Sequence, residues 1–409
     1  MFNFTSFKSI ISKDDISNNV IKLSSVERIF EDSYVFCHKV FGFKSVKNPN
    51  TSLKTVIINP IDYDIYVETK ISKIKDKKVK FENTLMVSSG IKESKIGVRV
   101  FEVNEDFETL LKNTKVFNQK SNFFSSYKGI VRTEECDQMY HMNVQFYFDK
   151  HFKALKKFTN HIFKNKLFKI KSERCIFYKE VHEFSALEIV IFVKNLKKNH
   201  LTLQSKLYCT SKHYVSAYFE TEISFESDAK HILKAVDSLL QKKQNTFVND
   251  FNFIKLRKIR PFRILKKPSE NSIITCKKAS NTWDLDFDGY ATHRFLISCV
   301  SDAATQLFTK CGVNHKWRSD YQIGSAALDY IVRYYNYPTI GMAVSLKSNF
   351  IEINEKSFKF CHHLIDDASN KVLMDIQIVA VLFDLKKRVA IKLPKSFRKK
   401  AEALLIKNQ

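Results

Sequence analysis

Between Asn143 and Phe163, apolar side chains recur at steps of three and four: Val144, Phe148, Phe152, Leu155, Phe158 and Ile162. This spacing predicts a helix with a broad, Phe-rich face turned to a core. A strand over Phe124 to Thr133 and a loop over Glu134 to His141 precede it. Four β-rich runs follow: Lys171 to Val181, Ala186 to Leu196, Leu201 to Thr210 and Tyr214 to Phe225. In the second run Leu187, Ile189, Ile191 and Val193 alternate with Glu188, Val190, Phe192 and Lys194. The alternation is imperfect, as suits a sheet buried on one face and half covered on the other. Polar turns at residues 195–200 and 210–213 separate the runs.

The same order, a helix and then several strands, occurs three times. A strand at Ile273 to Thr282, a loop from Trp283 to Tyr290 and a helix near Thr292 to Lys310 open the last set. Strands at Ser325 to Tyr335, Met342 to Phe350, Lys356 to Ile365 and Val372 to Leu385 complete it. The first set is a helix near Ser24 to Phe41 and strands at Leu53 to Asn59, Ile65 to Ile74, Val79 to Val87 and Lys95 to Val103. Runs opening at Asp64, Leu187 and Gly341 begin equivalent hairpins. Their spacing, roughly 120–155 residues, is that of whole domains rather than a solenoid. The expected division is a degenerate unit at 1–118, a second unit at 119–228 and a third at 271–394. Residues 229–270 read as a connecting helix and linker, with Ile232, Val236, Leu239 and Leu240 at helical spacing, and 395–409 as a peripheral basic tail.

Composition narrows the class. The 409 residues are 44% hydrophobic and include 36 Phe, a globular balance. No apolar run approaches the ~20 residues of a membrane span. The opening residues lack a long apolar block and a small-residue cleavage site, so a cytoplasmic protein is expected. The 8 Cys are scattered singly, without a CxxC pair, and read as reduced thiols; no metal site or cofactor can be argued. The formal charge of +25 would suit a polyanionic partner such as nucleic acid, an anionic membrane, coenzyme A phosphates or an acidic acyl carrier protein. A Lys-, Asn-, Ile- and Phe-rich composition accounts for it more simply. The charge is spread, and no nucleic-acid motif accompanies it.

The chemistry-bearing stretch is Glu135-Cys-Asp-Gln-Met-Tyr-His-Met-Asn-Val144, followed by Phe146-Tyr147-Phe148. One helix wrapped by a long antiparallel sheet resembles the hotdog fold, an α+β class. The stretch itself resembles the signature loop of the 4-hydroxybenzoyl-CoA thioesterase-like branch, where an Asp, a Gly-His pair and an Asn open the central helix. Asp137, His141 and Asn143 fall on those positions, and Tyr140 stands where the family usually has Gly. Plant-type acyl carrier protein thioesterases place an Asn two residues after the Asp; here that residue is Met139. The third unit resembles betainyl-CoA-type thioesterases, keeping Asp286 and Gly289, with Tyr290 in the His position and Asp302-Ala-Ala near the helix end. In the first unit, residues 14–19 (Asp-Asp-Ile-Ser-Asn-Asn) have no counterpart to the His.

Elementary chemistry gives these residues work. A helix N-terminus offers unpaired N–H groups and partial positive charge, able to stabilise a tetrahedral oxyanion. Asp137 could deprotonate water or attack as a nucleophile, and His141 could hold the carbonyl or the water. Each has a blander alternative: Asp137 as a loop carboxylate, His141 as a structural imidazole, Asn143 as a helix cap. Glu180 is a candidate second carboxylate on the strand facing the helix start, or simply an exposed strand residue. Asp286, Gly289 and Tyr290 mark a second site in which Tyr cannot act as an imidazole. The resemblance implies an acyl-CoA thioester hydrolase, needing no cofactor, whose sites form between paired units. Either the second and third units pair, which is favoured, or chains form homodimers. The competing reading is an acyl-CoA or acyl carrier protein binding module without turnover.

Overall fold

The computed structural model describes residues 2–10, 15–17, 20–43, 50–53, 64–75, 77–88, 93–112, 124–163, 168–197, 199–225, 262 and 265–406. The first set of elements is β1 (Phe2–Ile10), β2 (Ile16–Ser17), β3 (Val20–Ile21), α1 (Leu23–Phe41), β4 (Asn50–Leu53), β5 (Asp64–Lys75), β6 (Lys78–Ser88), β7 (Glu93–Val103) and α2 (Phe107–Lys112). The second is β8 (Phe124–Ile130), α3 (Val144–Phe163), β9 (Phe168–Phe177), β10 (Ala186–Lys197), β11 (His200–Cys209) and β12 (Tyr214–Phe225). The third opens with β13 (Ile273–Ala279), α4 (His293–Lys310), α5 (His315–Tyr321) and β14 (Ile323–Tyr334). It ends with β15 (Ala343–Ile353), β16 (Ser357–Asp366), β17 (Val372–Asp384), β18 (Val389–Ala390) and α6 (Lys395–Glu402).

All three sets contribute to one continuous sheet, ordered β13-β15-β16-β17-β14-β9-β12-β11-β10-β8-β1-β5-β6-β7-β4, with β18 paired to β17, while β2 and β3 pair only with each other. Within each set the strand before the helix takes one end, the strand after it takes the other, and a three-strand meander fills the space between. This is the tandem hotdog arrangement that the sequence resembles. The pairing β5–β6, β10–β11 and β15–β16 places the three aligned hairpins at equivalent positions.

The two junctions between sets differ. β9 and β14 pair antiparallel over Asp329↔Ile176 to Arg333↔Ser172, and α3 lies against α4 across the same line. Arg174 reinforces this seam with a two-pronged contact to Asp329, one prong at 3.0 Å. One continuous apolar core runs through both sets, with Phe148 of α3 against Tyr330 of β14 at a centroid distance of 5.9 Å. The first set joins by its other edge, where β1 meets β8 at the single register pair Lys8↔Lys128; most of its core lies in two clusters of its own, and a small third one brings Phe36 against Ile130 and Ala186. The second and third units are therefore the paired ones.

Several expectations need correction. The opening residues form β1, an edge-joining strand, because Phe2, Phe4 and Phe7 reach the first core clusters. β9 begins and ends earlier than Lys171 to Val181, and Glu180 lies in the connection after it. There the chain leaves the ladder as the N–H groups of Tyr178 and Lys179 both turn to the Ser216 carbonyl, at 2.9 and 3.3 Å. The basic tail is not peripheral. Phe397 is fully buried between Phe308, Phe350 and Phe358, and the Phe350 N–H and carbonyl bond to Leu404 and Ile406, both at 2.9 Å. Its lysines face outward while one aromatic anchors it. The connecting helix expected within 229–270 falls outside the described residues. No helix among the described residues is long and apolar enough to cross a membrane.

Candidate active site at the seam

The loops before α3 and α4 share one hydrogen-bond plan. Each begins with a short 3-10 turn, Thr133–Glu135 or Thr282–Asp284, whose last carboxylate accepts from the preceding backbone N–H. The Asp137 N–H donates to the His141 carbonyl at 2.8 Å, as Asp286 does to Tyr290 at 2.9 Å. The Asn143 N–H returns to the Glu135 carbonyl and that of Thr292 to the Asp284 carbonyl. At the tightest point the third unit has Gly289, φ +79°, with open space where a Cβ would stand. The second unit has Tyr140 there, at φ 59°. A neighbouring turn repeats the contrast, Phe184 at φ 58° in the second unit against Gly341 at φ 74° in the third. Tyr140 therefore does not block this loop; it holds the glycine conformation and sends its ring outward, 65% exposed.

The second-unit residues come together around the start of α3. Asp137 is exposed, and its Oδ1 accepts from the loop N–H groups of Met139 and His141 at 2.9 and 3.1 Å. Asn143 caps α3, accepting from the Gln145 N–H at 3.2 Å, so its structural role is met. His141 is largely shielded, with Nε2 3.6 Å from Glu180 Oε2 and its ring 4.6 Å from His182. Glu180 also pairs with Arg388, which belongs to the β17–β18 turn of the third unit. The His141–Glu180 pair thus sits where both units meet. His182 was not singled out in the sequence; no spacing rule links it to His141 before the isolated antiparallel bridge between the two residues is known.

The third-unit loop also meets the other unit. Asp286 is paired with Lys156 of α3, and Asp288 lies 3.8 Å from the same ammonium. Tyr290 is exposed, its ring 6.3 Å from that of Tyr337. Asp302 lies apart, on the outer side of α4 with Lys278 at 2.6 Å. In the first unit Asp15 is buried against Arg28, a structural pairing. Asp14, Asn18 and Asn19 lie outside the described residues. Among the described residues no group of three or more His, Cys, Asp or Glu is arranged to hold a metal ion.

One cluster escaped sequence reading. Glu173 of β9 is fully buried at the seam, with Oε1 2.9 Å from His151 Nδ1 and Oε2 2.9 Å from His293 Nδ1. The Tyr334 hydroxyl donates to the same Oε2 at 2.7 Å, and His151 Nε2 meets the Ser205 hydroxyl at 3.0 Å. Burial works against the Glu173 charge, yet His293 and His151 outweigh it and hold the carboxyl well below its ordinary range. Burial pushes the His151 imidazole down, against the pull of Glu173, and drives the Tyr334 hydroxyl far up. A signal existed: His151 lies on the apolar stripe of α3, between Phe148 and Leu155. Nothing in the sequence says that Glu173 and His293 converge on it.

A family model described as the thioesterase-like superfamily matches residues 280–401. No curated protein sequence matches the chain. Among solved structures, the chain is similar to one described as an oleoyl thioesterase of Lactobacillus plantarum, at 10% identity and TM-score 0.48, over 66% of this chain and 96% of that one. An acyl-ACP thioesterase of Bacteroides thetaiotaomicron gives 11% identity and TM-score 0.45, over 63% and 98%. A 12:0-ACP thioesterase of Umbellularia californica gives 7% and 0.46, over 66% and 98%. The family match thus falls on the third unit and takes in its Asp286 loop at the head of α4, while the tandem hotdog fold runs through the second and third units.

Proposed function

We propose that the chain is a cytoplasmic acyl-CoA thioester hydrolase in which the second unit does the chemistry. The reading rests on one juxtaposition. Asp137 and His141 stand at the amino end of α3, and His141 is backed by Glu180, which the third unit's Arg388 tethers. The helix end supplies backbone dipoles for the oxyanion that forms when the thioester carbonyl is attacked. Asp137 Oδ1 is occupied by loop amides, and Oδ2 carries no hydrogen bond among the described residues, which suits a base for water or a nucleophile. His141 positions the carbonyl or the water. The substrate is a CoA thioester, with an acyl carrier protein as the alternative carrier. Exposed Met139 and Tyr140 stand at the approach to this loop.

The test is hydrolysis of a chain-length series of acyl-CoAs, and of an acyl carrier protein thioester, by the parent and by Asp137→Asn. We expect at least a ~100-fold loss of kcat in the variant, the lower end of what a positioned acid or base supplies. Equal rates would remove Asp137 from its role. Tight acyl-CoA binding by a parent that turns nothing over would favour the binding-module reading.

A further inference from the structure

At the third unit the loop acid is already engaged, since Asp286 is ion-paired with Lys156. A different set of groups reaches the same place from beneath. His293 is the first residue of α4, directly after its cap Thr292. Its Nδ1 is held by Glu173 at 2.9 Å, and its Nε2 lies 3.4 Å from the Tyr337 hydroxyl. Tyr337 is only partly buried, and its ring neighbours that of exposed Tyr290. The groups facing His293 come from every element around it: Glu173 of β9, Tyr334 of β14, Tyr337 of the following connection, and the Phe152 ring of α3 stacked at 4.4 Å. Among these described groups Glu173 carries the formal charge, and His151 lies on its other carboxylate oxygen. A carboxylate accepting from Nδ1 fixes the tautomer and leaves Nε2 as the acceptor.

We propose that Glu173 is a positioning residue for a second hydrolytic site at the amino end of α4, where it holds His293 so that His293, through Tyr337, withdraws a proton from water attacking a thioester. The inference rests on the hydrolase reading and extends it to the third unit. Water oxygen bonds to the carbonyl carbon while its proton passes to the Tyr337 oxygen and the Tyr337 proton passes to His293 Nε2. The imidazolium formed is stabilised by Glu173. The oxyanion then re-forms the carbonyl, the C–S bond breaks, and the departing thiolate takes the proton back along the same path. Tyr337 is the group that meets substrate. Glu173 comes from the second unit, so the third unit cannot complete this site alone.

The experiment uses the full chain and the acyl-CoA series, with Asp137→Asn as background to silence the second-unit site. The background is expected to retain a residual rate, which Tyr337→Phe and Glu173→Gln each lower by about 100-fold in kcat with little change in KM. In Glu173→Gln the ring nitrogens of His293, followed by ¹⁵N NMR, should lose their single-tautomer signature, which a merely structural carboxylate would not control. Tyr337→Phe removes one hydroxyl from a partly buried ring and remains informative where Glu173→Gln fails to fold. A background with no residual rate, or a residual rate untouched by Tyr337→Phe, overturns the second site. An unchanged His293 tautomer overturns the positioning role. A parent inert toward every thioester is a separate outcome, and sinks the hydrolase reading on which the second site depends.

Discussion

Tyr140 and Phe184 occupy a backbone region that costs a side chain other than Gly about 1–2 kcal/mol. Both project outward, so the cost is not returned by core packing, and strain kept at a motif loop points to use of those rings. Replacing Tyr140 with Asn, which tolerates this region, should stabilise the protein by about 0.5–1 kcal/mol in a urea titration. A loss of stability would mean that the ring makes contacts of its own. The spacing of Asp137, His141 and Asn143 was readable in the chain because a loop running into a helix is local. The capture of Asp286 by Lys156 was not, since the partners are separated by 130 positions and meet only across the seam.

Helices and hairpins were legible for the same local reason. α3 starts one residue from the expected Asn143, α4 one from Thr292, and α1 stops where Gly42 takes a left-handed cap, its N–H reaching the His38 carbonyl. The tail was misread because its sequence is dominated by Lys and Arg, whereas one apolar residue decides its fate. Phe397→Ala should cost about 3–5 kcal/mol, like other emptied aromatic core sites. Thermal unfolding would register it; a variant with unchanged Tm would show that α6 contributes no core. The early start of β1 was missed because Thr, Ser and Lys interrupt its Phe residues, and a single strand in isolation gives a weak pattern.

Across the assembled units, the interior carries imidazoles that resist protonation. Burial pushes His151, His362 and His363 below the ordinary 6.5, His362 to about 3. The unfolded chain therefore binds protons that the native state refuses once the pH drops below 6.5. Stability from these groups is complete above that point and declines as the pH falls toward 3. Glu173 adds to the decline only below the ordinary glutamate range, because its native carboxyl stays ionised there. Denaturant midpoints should hold between pH 8 and 6.5 and then fall at pH 5 and 4, and His362→Leu should flatten that slope. A midpoint constant between pH 8 and 5 would refute the buried-neutral reading.

What could be deduced from residue order was periodicity: three helix-and-strand sets, the loop ahead of each motif-bearing helix, and the acids and His within those loops. Such features depend on neighbours a few positions apart, and backbone geometry translates them directly. The choice of which units pair, the tether from Arg388 to Glu180, and the meeting of His151, Glu173 and His293 depend on strands brought edge to edge. Only the folded sheet makes those contacts, because one β9–β14 ladder joins segments that lie some 150 residues apart in the chain.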